Sequence, residues 1–145
     1  MNAHGFLEAY AESRPNVRFL RESQLGAYLF VGDDNRRVFV IFENSQEEPP
    51  IVRLCLPTYG VFTSAWATLP RTGEKIAAYL QSQNLTLRDF QGRIEVQTLI
   101  TLTEENLDTA IDLLLTAVMT IEEAVSAADI AGVTIVRRES VAQTI

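Results

Sequence analysis

Between Arg93 and Asp129 an alternating segment, IEVQTLITL, runs with almost no linker into TEENLDTAIDLLLTAVMTIEEAVSAAD. The two halves have different periods. Ile94, Val96, Ile100 and Leu102 share one face, interrupted only by Thr98, which predicts a strand. Leu107, Ile111, Leu114, Val118, Ile121, Val125 and Ala128 follow at spacings of three and four, which predicts a long helix with a continuous apolar stripe. Thr101-x-x-Glu104 fits a capping box, with Thr103 as a rival cap, and Glu104 and Glu105 suit the positive end of the helix dipole. Gly132 is expected to end the helix.

Upstream, Phe6, Leu7 and Tyr10 form a helical stripe closed by Arg14-Pro15, because the residue before proline resists the α region. That places a first helix over residues 3–13. The chain turns extended from Val17 to Leu20, and Tyr28 to Val31 is an aromatic and β-branched run. It ends at Gly32-Asp-Asp-Asn35, a turn of residues that tolerate positive φ. In Arg36 to Glu43, Val38, Val40 and Phe42 share one face while Phe39 and Ile41 share the other. Both faces are apolar, which implies a strand covered on two sides or one whose second face meets another subunit. After a polar, proline-closed connection at Ser45–Pro50, Ile51 to Leu56 completes an antiparallel meander. The segment PTYGVFTSAWATLP has no clean period. A helix is expected near Arg71–Gln83, with Asn84 as its terminator.

Strands precede and interrupt helices without regular βαβ alternation, and there is no glycine-rich phosphate loop. The fold class is therefore α+β: an antiparallel sheet of about four to five strands flanked by about two to three helices, in the order α-β-β-β-α-β-(β)-α. An apolar content of 47% and a charged content of 21% fit one folded domain over residues 1–145 and disfavour disorder. Residues 133–145 read as a C-terminal tail with a short β-like run and a frayed end.

The net charge of −7 repels phosphate backbones, and the 12 basic residues are scattered, so no nucleic-acid partner is expected. Eleven of them are arginine and only Lys75 is lysine. The N-terminus lacks a basic region followed by an apolar run, and the most apolar tract, Ala110–Ile121, is short for a membrane span and contains Asp112. Neither secretion nor membrane insertion is expected. The single cysteine, Cys55, agrees with a reducing cytoplasm and reads as core. One histidine and one cysteine cannot supply a conventional zinc site or a nucleophile–histidine pair, and no cofactor or metal is expected. His4 lies beside Gly5 near the terminus, where nothing is expected to hold it as a general base. The carboxylate pairs Asp33-Asp34, Glu47-Glu48, Glu104-Glu105 and Glu122-Glu123 read as solvated charge.

Glu104, Asp108 and Asp112 recur every four residues, a like-charged stripe that either water or an arginine must compensate. Arg53 and Arg93 each occupy or adjoin a strand, as exposed sheet-face residues or as charged contacts. Tyr59, Phe62 and Trp66 serve either to close the core or to form a recognition surface, because Trp and Tyr dominate interface energy when they fill pockets. With Phe39 and Ile41 they are the candidate partner-binding residues.

The meander YLFVGDDNRRVFVIFEN…PPIVRLCLP and the pair GRIEVQTLITL-TEENLDTAIDLLLTAVMTIEEA resemble the family of small acidic proteins with the type III secretion chaperone-like fold. The YbjN-like branch, with its poorly characterised cyanobacterial relatives, is the nearest in character. The resemblance covers about residues 3–130 through topology and acidity, with no residue motif to transfer. It implies a non-enzymatic, cytoplasmic, commonly homodimeric protein that holds a polypeptide segment or a regulatory partner. It also implies a further short strand near Leu85–Phe90 or an early bend in Arg93–Leu102. Two other readings remain: a small-ligand-binding protein or enzyme that uses arginine and carboxylates, and a structural subunit of a larger assembly.

Overall fold

The computed structural model describes residues 2–44, 46–62 and 70–127. In chain order the elements are α1 (Ala3–Glu12), β1 (Val17–Ser23), β2 (Gly26–Val31), β3 (Arg36–Asn44), β4 (Ile51–Phe62), α2 (Pro70–Ser82), β5 (Thr86–Phe90), β6 (Arg93–Thr101) and α3 (Glu104–Ala127). The fold is α+β. Its strands form one antiparallel sheet in the order β1-β2-β3-β4-β6-β5. The sheet has six strands where about four or five were expected. Val17–Leu20 proves to be the core of a full strand, β1, and β5 fills the place that the resemblance reserved for a short strand. The chain groups into two compact units, Met1–Leu56 with Thr98–Asp112 and Pro57–Gln97 with Leu113–Ile145.

In the first unit, α1 starts at Asn2, whose side-chain oxygen accepts a hydrogen bond from the Gly5 amide at 3.2 Å. That contact satisfies one of the amides that a helix start leaves over. The β2–β3 turn places Gly32 at φ 77° and Asn35 at φ 53°, as the turn residues require. Register then decides which side chains share a face. Leu29 pairs with Val38, and Val40 with Leu54. These residues, with Ala27, Val31, Val52 and Leu56, form an inner face that is almost wholly buried. His4 of α1 packs edge-on against Phe42 at 4.8 Å and Phe19 at 6.1 Å between centroids. It is a buried residue of a capped helix, not part of a loose terminus.

At the start of α3, Thr103 wins over Thr101 as the cap: its Oγ1 accepts from the Asn106 amide at 3.1 Å, while the Asn106 side chain donates to the Thr101 carbonyl at 2.9 Å. The predicted stripe is realised at Leu107 and Ile111 in this unit, both buried. Gly132, expected to end the helix, and the tail 133–145 lie outside the described residues.

In the second unit, Leu114, Val118, Ile121 and Val125 continue the stripe, buried together with Ile76 and Leu80 of α2 and Ile94 and Val96 of β6. Asn84 stops α2 at φ 58°, and the Leu85 amide donates to the Leu80 carbonyl at 2.9 Å. That is the six-to-one bond of a Schellman ending, with both leucines buried beside it. Gln91 and Gly92, at φ 55° and 84°, make the tight β5–β6 hairpin. The strand expected to stop at Leu56 continues through Pro57, Thr58, Tyr59 and Gly60 to Phe62. Buried Thr58 holds this extension by donating from Oγ1 to the Ile94 carbonyl at 2.8 Å. A strand that carries Pro57 and Gly60 has little periodicity to show in sequence.

Candidate functional site

Strand alternation places the even-numbered residues of β1 and β2 opposite the odd-numbered residues of β3 and β4, on the outer face of the first unit. Three cross-strand rows result. Arg18, Phe30 and Arg37 form the first, Leu20, Tyr28, Phe39 and Cys55 the second, and Gly26, Ile41 and Arg53 the third. Unlike the inner face, this one is open in its middle. Leu20 is 52% exposed, and Tyr28, Phe30, Phe39 and Ile41 are all partly exposed. Cys55 is buried and closes the β4 end of the second row.

The side chains on this face are ordered by one another. Tyr28 lies 4.9 Å from Phe39 and 6.4 Å from Phe30 between centroids. Arg37 sits over the Tyr28 ring at 5.0 Å and Arg18 over the Phe30 ring at 5.2 Å, both within cation–π range. Gly26 makes room for this arrangement, because a Cβ there would come within 2.8 Å of the Phe39 ring and 3.1 Å of the Val40 carbonyl oxygen. Arg18 also donates to the Asn35 side-chain oxygen at 3.1 Å. Arg53 is paired with Glu43, Nε to Oε1 at 2.5 Å.

The structure thus brings together three sequence-predicted residues, Phe39, Ile41 and Arg53. Five members of the same face went unpredicted: Arg18, Leu20, Tyr28, Phe30 and Arg37. Their signal was the alternation within Val17–Leu20 and Tyr28–Val31, which becomes informative only once the two segments pair in register. Tyr59 belongs to the second unit, where its amide donates to Glu122 at 2.7 Å. Phe62 ends β4, its side chain outside the described residues, and Trp66 also lies outside them. Arg93 is exposed at the start of β6.

The acidic stripe on α3 meets an arginine of its own chain. Arg14 bridges Glu104 at 3.0 Å and Asp108 at 2.8 Å, and its guanidinium lies 4.1 Å over the Tyr10 ring. Tyr10, buried in α1, donates its hydroxyl to Asp108 at 2.5 Å. Hydrogen bonds from Arg14 and then Tyr10 hold the Asp108 carboxyl below the ordinary carboxylate range. Burial, followed by the bond to Asp108, pushes the Tyr10 hydroxyl well above its usual value. Asp112 stays exposed. The cluster fastens α1 to the start of α3 and works as a clasp within the fold.

Glu122, read from sequence as solvated, is fully buried on α3. Neighbouring carboxylates on a helix point in different directions, so Glu123 is exposed while Glu122 faces the core and receives the Tyr59 amide. Among the described residues there is no group of three or more His, Cys, Asp or Glu that could hold a metal ion. Among them, too, no helix is long and apolar enough to cross a membrane. No protein-family model matches the chain, and no curated protein matches it.

Proposed function

We propose that this protein is a non-enzymatic interaction module, chaperone-like or regulatory in the manner of the YbjN-like family it resembles, and that it acts in the cytoplasm as a homodimer. The homodimer is what the resemblance implies, and one observation carries the interaction-module reading: the outer face of β1 to β4 holds a contiguous set of partly exposed aromatic and aliphatic side chains, with Leu20 at 52% exposure. Isolated exposed apolar residues are ordinary on a protein surface, but a contiguous patch edged by arginines has the composition of a binding surface. Tyrosine and arginine are also the residues that carry most interface energy. The ring contacts fix these side chains before any partner arrives, which lowers the ordering cost of association.

The test is sedimentation of the full chain at micromolar and higher concentrations, combined with capture of bound polypeptides at native abundance. A dimer, or a captured polypeptide lost in the Leu20→Ser/Ile41→Ser variant, supports the reading. A strict monomer that retains no polypeptide overturns it.

A further inference from the structure

We propose that the outer face selects an acidic, amphipathic polypeptide segment, whose carboxylates meet Arg18 and Arg37 while its apolar side chains cover Leu20, Tyr28 and Phe39. This inference rests on the interaction-module reading and adds the chemistry of the partner. The chain has 19 acidic and 12 basic residues, so carboxylates are plentiful for its arginines. Arg14, Arg36, Arg53 and Arg88 all use them. Arg18 and Arg37 form no ion pair among the described residues. Each is exposed and lies instead over a ring, at 5.2 and 5.0 Å from its centroid. Arg18 spends one of its N–H donors on the Asn35 side-chain oxygen at 3.1 Å, and both guanidinium groups keep further donors with which to bind a carboxylate.

Arg18 and Arg37 flank Phe30 in one cross-strand row, and Leu20, Tyr28 and Phe39 form the next, two residues along the strands or about 7 Å away. A segment with acidic side chains along one edge and apolar ones along the other fits both rows at once. A second copy of this chain fits this face less well, so the proposed homodimer would pair through another surface. In a two-fold pairing the same patch meets itself, which would bring the unpaired arginines of both copies into one interface. A single-stranded nucleic acid is also disfavoured. The guanidinium groups already cover faces of Tyr28 and Phe30 on which bases would stack, and the net charge of −7 opposes a phosphate chain.

The experiment measures fluorescence anisotropy of the full chain with labelled synthetic probes: a Glu/Leu/Phe amphipathic peptide, the same peptide with every Glu replaced by Gln, and an oligothymidylate of matched length. The Glu peptide is expected to bind at least about tenfold more tightly than the Gln peptide, with the difference removed in the Arg18→Gln/Arg37→Gln variant and reduced by added salt. Both arginines are exposed, and an unchanged thermal midpoint for the variant separates lost recognition from lost folding. Equal binding of the Glu and Gln peptides, abolished by Leu20→Ser/Ile41→Ser, overturns the acidic preference and leaves the interaction module standing. Tighter binding of the oligothymidylate overturns the choice of partner class. Dissociation of a dimer by the arginine variant shows that a second copy occupies the face, and it too overturns the proposal. Absence of any peptide binding in a strictly monomeric chain removes both readings.

Discussion

Substituting Tyr10→Phe isolates the hydroxyl that joins α1 to α3. The ring is buried and remains in place, so no cavity opens. Only the bond to Asp108, at 2.5 Å, is lost. A hydrogen bond to a charged acceptor contributes about 1.5–3 kcal/mol when well shielded. The Asp108 side chain is half exposed and keeps its contact with Arg14 at 2.8 Å, so water screens the pair and the expected loss is about 1 kcal/mol. Urea denaturation at neutral pH should show the midpoint falling with an unchanged slope. A double-mutant cycle with Asp108→Ala should recover a coupling of about 1 kcal/mol, whereas sites without a shared partner add to within about 0.5 kcal/mol. The pH profile supplies a second signature. The depressed Asp108 contributes stability that is present above the unfolded carboxylate value of about 3.9 and is lost as pH falls through the lower folded value. The raised Tyr10 contributes stability that is present below about 10 and is lost as pH rises through the higher folded value. Tyr10→Phe should therefore flatten the alkaline limb and weaken the acid limb, where the Arg14 bonds remain, and Asp108→Asn should flatten the acid limb and weaken the alkaline limb, where the burial of Tyr10 remains. A Tyr10→Phe protein with unchanged stability and an unchanged alkaline limb would refute the clasp.

Three further outcomes are expected. Glu122→Ala removes a fully buried side chain and the acceptor of the Tyr59 amide at 2.7 Å, and should lower the unfolding free energy by about 2–4 kcal/mol in urea. Glu122→Gln, which keeps an acceptor and the volume, should cost less, and equal losses for the two would show that the hydrogen bond is not what matters. Gly26→Ala should destabilise by about 1 kcal/mol and displace the Phe39 ring, because the new Cβ meets that ring and the Val40 carbonyl; a stabilised protein would show that the space is not limiting. His4→Phe should raise the thermal midpoint, since both imidazole nitrogens are buried with no hydrogen-bond partner among the described residues. Removing such desolvated polar atoms gains about 1 kcal/mol, and a lowered midpoint would point to a hydrogen bond made by the imidazole.

How far the fold was legible depended on whether its signal was local. The α3 stripe, the Asn84 terminator and the Gly32–Asn35 turn are encoded within a few residues, by side-chain period or by tolerance of positive φ, and all three appear in the structure. β1 was underestimated because an exposed edge strand has one lightly buried side and correspondingly weak alternation. The end of β4 was missed because Pro57 and Gly60 interrupt the pattern, and Thr58 is held there by a hydrogen bond to Ile94, a residue distant in sequence. The candidate site shows the same division. Phe39 and Ile41 could be picked out because β3 alone carries two apolar faces. Arg18, Tyr28 and Arg37 acquire their meaning only when β1, β2 and β3 pair, since a one-residue slip in register would send the ring of Tyr28 to the inner face and leave Arg37 with nothing to stack on. Gly26 links the two levels. It opens β2, and in register it lies opposite Ile41 and beside the Phe39 ring, so the absence of a side chain there is what leaves room for the aromatic row.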